Sequence, residues 1–346
     1  MGADYGVSVY TTSGASPSVQ TAYAQDALMP FRNNVPFMDA SKEKLWSLDD
    51  GDPMPGKIVT FTLYSNFDAK TTALSETGDP TAIDVSLSQV SITLVEYGNV
   101  LTRSAKVKAT SFLDLDQDIV GLIAWNASVS IDLIARAAWD AETGGTWNFY
   151  ASGSAVASIT PGKLLTWAFI RTMANKLERN NVPPPRTLRS GAQLHGAIIH
   201  PDTKQDLRGQ TGSGSWRFPK EYADADELMT GEIGSFEGFR YQMTNHARVQ
   251  ISSGASVGGA SADVYTSYFY GLEAIGKANG NVGSYVEDDG TNGEFTVVFS
   301  GPFDKLRRIR NIGWKSLAGY GAIRTNALYK YHHASAYQTN VAQDEG

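Results

Sequence analysis

The sequence predicts an α+β chain organised around one long helix, and three observations predict it. Apolar residues fall at Ile119, Ile123, Ala127, Ile131, Ile134 and Ala138, steps of three or four that hold one helical face toward a core. Residues 57–64 alternate as a strand does, with Ile58 on one side and Val59, Phe61 and Leu63 on the other, and residues 90–95 supply a partner. The 34 glycines and 16 tyrosines, among many serines and threonines, describe β-rich surroundings with numerous turns.

The helix is expected over residues 114–143, with Asp114 and Gln117 as a capping box and Gly144-Gly145 as the stop. Thirty residues at the helical rise span about 45 Å, longer than an ordinary domain is thick. Asp132, Arg136 and Asp140 stand four apart, the spacing of charge pairs on an exposed helix face. A helix pair broken at Gly121 is the alternative, because glycine weakens a helix interior. The stretch carries nothing catalytic and reads as a beam.

Composition bounds the rest. Of the 346 residues 42% are apolar and 19% charged, a globular balance with ample material for a core. No apolar run reaches the length that crosses a bilayer, and the amino terminus lacks the basic start and apolar stretch of a secretory signal. With no cysteine there are no disulfides or thiolate metal sites. A net charge of −7 argues against general attraction to nucleic acid or anionic membrane.

The first forty residues hold Gly, Ser, Thr and Pro with scattered aromatics, Tyr5, Tyr10, Tyr23, Phe31 and Phe37, too few to close a core. They read as an arm that orders against another surface, with plain disorder as the alternative. Residues 66–89 between the two strands are polar and turn-rich, with Gly78-Asp79-Pro80 at the tip, which makes a long two-stranded excursion. A second helix is expected from Thr160 as cap and Pro161 at its first position, burying Leu165, Phe169 and Met173. Residues 195–200 read as a buried strand running into a helix at Pro201. Further strands are expected at 239–243, 265–275 and 295–299.

Chemistry is mostly excluded. His195, His200, His246, His332 and His333 stand in no metal-binding frame, and the tandem His332-His333 lies in what reads as a polar tail. Glu232 and Glu237 are the only pair considered as glycosidase carboxylates, against capping or salt-bridge roles. Neither a nucleophile elbow nor a phosphate loop is present. We expect no catalytic residue, cofactor or metal. Residues 301–330 carry seven Lys or Arg against Asp304 alone, and Lys305, Arg307, Arg308 and Arg310 form the sharpest electrostatic feature. They are candidates for a subunit interface rather than for phosphate contact.

Residues 197–208, AIIHPDTKQDLR, and 231–240, GEIGSFEGFR, with QVSITLVEYG at 89–98 upstream, resemble in order and spacing the signature blocks of tailed-phage major capsid proteins of the N-4-like family. The similarity runs from about residue 40 to residue 330. It implies an HK-97-like fold with an N-terminal arm (1–56), an extended β-hairpin loop (57–110), a peripheral domain with a spine helix (111–160 with 295–346) and an axial domain (161–294). It further implies self-assembly through hexameric and pentameric capsomers into an icosahedral shell around double-stranded DNA, in a virion assembled in the host cytoplasm. Scaffolding, portal and decoration proteins are further partners of such a shell, and no membrane is involved. The chain does not begin with a long charged helical region, so no fused scaffolding segment is expected. A bacterial nanocompartment shell of the same fold, or a β-rich carbohydrate-active protein using Glu232 and Glu237, is the alternative.

Removing residues 2–30 should lower particle yield sharply and leave the thermal unfolding of the subunit nearly unchanged. A large fall in subunit stability with normal particles would make the arm a folding element instead.

Overall fold

In the computed structural model the long helix is one continuous element. The structure describes residues 36–45, 57–67, 69–71, 73, 82–110, 115–141, 147–188, 193–210, 216–221, 228–229, 231–257, 259–280, 296–302 and 304–337. Helix α1 (Pro36–Asp39) leads into β1 (Lys42–Leu45), β2 (Ile58–Tyr64), β3 (Leu87–Thr93), β4 (Val95–Ser104), α2 (Ala105–Thr110) and the spine helix α3 (Leu115–Ala141). There follow β5 (Asn148–Tyr150), α4 (Trp167–Arg179), β6 (Arg186–Thr187), β7 (Gln193–Ile199), α5 (Pro201–Gly209), β8 (Glu232–Phe236), β9 (Phe239–Met243) and β10 (Val249–Gln250). The remaining strands are β11 (Ser256–Val257), β12 (Ala260–Ser261), β13 (Val264–Tyr270), β14 (Ile275–Asn279), β15 (Thr296–Ser300), β16 (Ile309–Ala322) and β17 (Leu328–His333). The expected arm up to residue 35, Asp114, Gly144-Gly145 and the hairpin tip Gly78-Asp79-Pro80 lie outside the described residues.

Two mixed sheets carry the fold. A five-stranded sheet runs β1-β14-β16-β15, with β4 also paired along β16. An eight-stranded sheet runs β5-β17-β13-β7-β9-β8, with β10 on β13 and β6 on β7. Each sheet draws strands from distant parts of the chain. β5 and β17 join the eight-stranded sheet, whereas β14 pairs with β16 in the other. The single strand expected at 265–275 is therefore two, divided by the turn at 271–274 that carries the chain from one sheet to the next.

The spine helix is long enough to serve both sheets. Its first half places Ile119, Val120, Ile123, Ala124, Ala127 and Ile131 against Val297, Ile312 and Trp314 of the five-stranded sheet. Its second half places Ala135 and Trp139 in the core of the eight-stranded sheet, beside Phe37, Tyr268 and Tyr270. Trp139 is edge-on to Phe37, Tyr268 and Tyr270 at centroid distances of 5.7, 6.0 and 5.0 Å. Ile134 and Ala138, expected in the buried row, are only half-buried, because the inward face rotates to Ala135 and Trp139. Gly121 does not break the helix: it is exposed, with open space where a Cβ would stand.

Two further expectations are corrected. Asp132, Arg136 and Asp140 do not form a solvated face; Asp132 is fully buried and the other two are partly so. Their partners come from distant segments rather than from one another. The second helix begins at Trp167, six residues later than expected, with Thr166 Oγ1 accepting from Phe169 N–H at 3.4 Å. Thr160 and Pro161 form a turn instead, because Gly162 adopts a left-handed φ of 83° that no helix continues.

The excursion is a real hairpin whose base is held by its own chain. β2 and β3 pair along their full length, and Val59, Phe61, Ile92 and Leu94 are buried with Ala278 and Ile323. Ile92 can lie this close because β14 and β16 present glycines beneath it. A Cβ at Gly319 would meet the Thr93 carbonyl oxygen and stand 2.9 Å from Ile92 Cγ2, and Gly276 and Gly321 face Ile92 as well. Gly319→Val should therefore lift the hairpin base and lower subunit stability by roughly 1–3 kcal/mol, as overpacking does. In contrast, Gly121→Ala should raise stability by about 0.5–1 kcal/mol, since an exposed helical site gains only the alanine preference. Denaturant unfolding of both variants checks the pair of signs.

Candidate assembly surfaces

The polar groups that could have carried chemistry are engaged in holding strands and helices together. All five histidines are buried. His195 Nε2 meets the Val182 carbonyl at 3.0 Å, and His200 caps α5 by accepting from Asp202 N–H at 3.2 Å through Nδ1. His332 and His333 are not in a polar tail: they sit in β17, bonded to Thr266 Oγ1 at 3.0 Å and Ser267 Oγ at 2.9 Å on β13. Successive strand residues point to opposite faces, so this tandem cannot close on one ion. Burial pushes both imidazoles down to about 4. Among the described residues no group of three His, Asp or Glu could hold a metal.

Glu232 and Glu237 are structural in their surroundings. Arg240 on β9 is fully buried and its guanidinium grips both carboxylate oxygens of Glu232 on β8, Nε to Oε1 at 2.9 Å. Glu232 Oε2 also accepts from Met229 N–H at 2.8 Å. Glu237 sits at the β8–β9 turn with φ 47°, followed by Gly238 at 82°, and pairs with Arg171 of α4 at 2.8 Å. Arg171 holds the Glu237 carboxyl below the ordinary glutamate range, the reverse of what a general acid needs. Gly231 and Gly234 have φ of 71° and 153°, and the strand register shifts between Glu232 and Gly234. A Cβ at Gly234 would stand 2.5 Å from the Arg217 carbonyl oxygen, so backbone geometry and space both require glycine there.

Two surfaces stand out among the described residues. The outer half of the hairpin exposes Tyr64, Phe67, Ile83, Val85 and Leu87, large apolar side chains beyond the anchored base. The second is the loop between β15 and β16 with the first residues of β16, where Lys305, Arg307, Arg308 and, on the strand, Arg310 are all exposed beside Leu306, which is 71% exposed. Arg308 is clamped within the loop, its Nε donating to Asp304 Oδ2 at 2.8 Å while its backbone N–H meets Asp304 Oδ1. Ala105 N–H donates to the Arg308 carbonyl, which seats α2, with Lys106 and Val107 exposed, against the same loop. The four predicted interface residues thus share one end of the five-stranded sheet. The sequence also holds two acidic clusters that could face such a basic surface, Asp224, Asp226 and Glu227, and Glu287, Asp288 and Asp289, and both lie outside the described residues.

A family model described as phage capsid protein matches residues 32–328. The chain belongs to the phage capsid protein family. It is a major capsid protein that forms an icosahedral shell, and its fold is HK-97-like. The capsid of Ralstonia phage GP4 is similar at 11% identity with a TM-score of 0.69, covering 89% of this chain and 93% of that one. The capsid of cyanophage Pam1 matches at 11% identity and a TM-score of 0.58, covering 90% and 93%. The capsid of Helicobacter pylori bacteriophage KHP30 matches at 11% identity and 0.57, covering 87% and 91%. No curated protein matches the capsid chain by sequence. The family match favours the phage shell over the nanocompartment and carbohydrate-active readings, and it does not distinguish the N-4-like branch.

For the capsid chain the geometry missed by sequence reasoning is the set of buried polar partners, above all Asp132 with His246. The signal that pointed there was a carboxylate set between Ile131 and Leu133 on the helix. The buried imidazoles also set a pH dependence. His332 and His333 titrate at about 4 in the folded chain against 6.5 unfolded, so between these values the unfolded chain binds protons that the native chain refuses. Their contribution to stability is complete above about pH 6.5, falls toward pH 4, and has a slope of at most about 1.4 kcal/mol per pH unit for each group. Denaturant midpoints of the free subunit should fall through this window, and His332→Asn should flatten the fall.

Proposed function

We propose that this shell encloses the double-stranded DNA genome of a tailed phage and is built from hexameric and pentameric capsomers of this chain. The observation that carries the reading is the hairpin, whose base is buried in its own subunit while its outer half presents apolar side chains to solvent. An exposed two-stranded ribbon is marginal alone and gains its ordering free energy from a neighbour. The five-stranded sheet with α3 then makes the peripheral part and the eight-stranded sheet with α4 and α5 the axial part, so β14 goes with the former and β5 and β17 with the latter. The arm and the extended loop keep their expected ranges, 1–56 and 57–110. Assembly takes place in the host cytoplasm, with scaffolding, portal and decoration proteins as further partners and no sequence-specific contact to DNA.

The basic loop serves contact between subunits in this reading. Like charges oppose close approach, so the loop does not pack on copies of itself and meets an acidic surface. Lys305, Arg307 and Arg310 provide that contact, while Arg308 acts through Asp304 to shape the loop. Two measurements test the function. Hydrogen exchange over residues 64–67 and 82–88 should be fast in free subunits and slow in shells; equal, strong protection in both would mean the hairpin needs no neighbour. Arg310→Glu should cut assembly and leave the weak duplex-DNA affinity of free subunits nearly unchanged. Normal shells that have lost a salt-sensitive DNA affinity would place the loop on the genome, since such affinity falls steeply with salt.

A further inference from the structure

We propose that Asp132 and His246 form an acid-released latch that fixes the root of the amino-terminal arm to the junction of the two sheets. Asp132 lies fully buried in α3, and its Oδ1 accepts from the backbone N–H groups of Phe37 at 3.0 Å and Met38 at 3.4 Å. Its Oδ2 faces His246 Nδ1 at 2.5 Å. His246 follows β9, donates its backbone N–H to Thr244 Oγ1 at 3.0 Å, and accepts from the Arg136 guanidinium at its carbonyl at 2.8 Å. One carboxylate thus joins the arm root, the spine helix and the turn that leaves the eight-stranded sheet.

The position has mechanical weight because α1 straddles the junction. Phe37 is in the core of the eight-stranded sheet and Met38 is in the core of the five-stranded one. The first amides of a helix have no acceptor inside it, and α1 has only four residues. Asp132 supplies the missing acceptor from another element. Without it α1 would place unsatisfied amides between two cores, where no water replaces the lost acceptor.

Proton count decides when the latch holds. The contact between Oδ2 and Nδ1 needs one proton, which a neutral imidazole protonated at Nδ1 supplies to the ionised carboxylate. An imidazolium beside the carboxylate satisfies it equally. Only when the carboxyl is protonated beside an imidazolium does an O–H face an N–H, so that the contact is lost and Oδ1 becomes a weaker acceptor for the α1 amides. Facing charges act on this balance from each packed element. Arg136 and, a turn further on, Asp140 lie on α3; Asp140 is paired with Arg248 at 3.5 Å and accepts from Tyr268 Oη at 2.7 Å. Asp39 on α1 is exposed. Burial raises the Asp132 carboxyl above its ordinary range, which moves release toward milder acid.

Hydrogen-exchange protection factors for residues 37–39 of the full-length free subunit, which exclude the intrinsic pH dependence of exchange, test the latch. As pH falls below about 7 they should fall by at least about tenfold more than those of β13 and β16, the effect of one unit of differential protonation. Asp132→Asn keeps an acceptor at Oδ1 but cannot ionise, and its profile should follow those of β13 and β16. Opening of residues 37–39 only together with global unfolding, or an Asp132→Asn profile equal to wild type, would overturn the proposal. Should that variant not fold, His246→Gln must bring the same profile to those of β13 and β16, and an unchanged profile would count equally against it.

Discussion

A 27-residue helix about 40 Å long is longer than the sheet contact it makes in either half, and that mismatch organises the molecule. The helix has to be received by two sheets, so the chain must supply two cores and a junction between them. Ile119 through Ile131 meet one core, while Ala135 and Trp139 meet the other. Between these halves the helix carries charged groups where a simple beam would carry leucines. Asp132, Arg136 and Asp140 each find a partner on the eight-stranded sheet or its loops. Truncating Asp132 would leave the buried Phe37 amide and the His246 imidazole without this partner, a cost of about 1–3 kcal/mol for each group stranded. These groups fix how the sheets sit on the helix, where apolar packing alone would let them slide.

The same economy appears on the opposite face of the five-stranded sheet. Gly276, Gly319 and Gly321 make a smooth floor on which Ile92 rests, so the hairpin leaves the subunit from a fixed root. Its outer half carries the apolar residues that the subunit itself does not cover. A rigid root with an uncovered outer half suits a protein that completes its packing only in the company of other copies.

What was legible in the sequence was what depends on neighbours in the chain. The 3.6-residue apolar spacing located the spine helix, period-two alternation located β2 and β3, and His-Pro-Asp located the start of α5. What was not legible depends on partners far away in the chain. Asp132, Arg136 and Asp140 have the spacing of an exposed ion-pair row, yet Asp132 bonds to Phe37 and His246, 95 and 114 positions away. Spacing alone cannot show that. The division of residues 264–279 into two strands of different sheets hides for the same reason, since Gly271 is packed against Val182 and Pro183 rather than against anything local. Likewise His332 and His333 lie near the end of the chain but are built into the middle of a sheet by β13. Lys305, Arg307, Arg308 and Arg310 were conspicuous by charge, and the structure adds that Asp304 already holds one of them.

The central claim is that this chain is a building unit whose work is geometry. Electron microscopy of the purified full-length chain, with sedimentation of the same sample, tests it most directly. The account predicts closed hollow shells or capsomer rings, with a sedimenting mass many times that of the 37.3 kDa chain. A sample that stays monomeric at high concentration and across salt and pH, with neither rings nor shells, would contradict it.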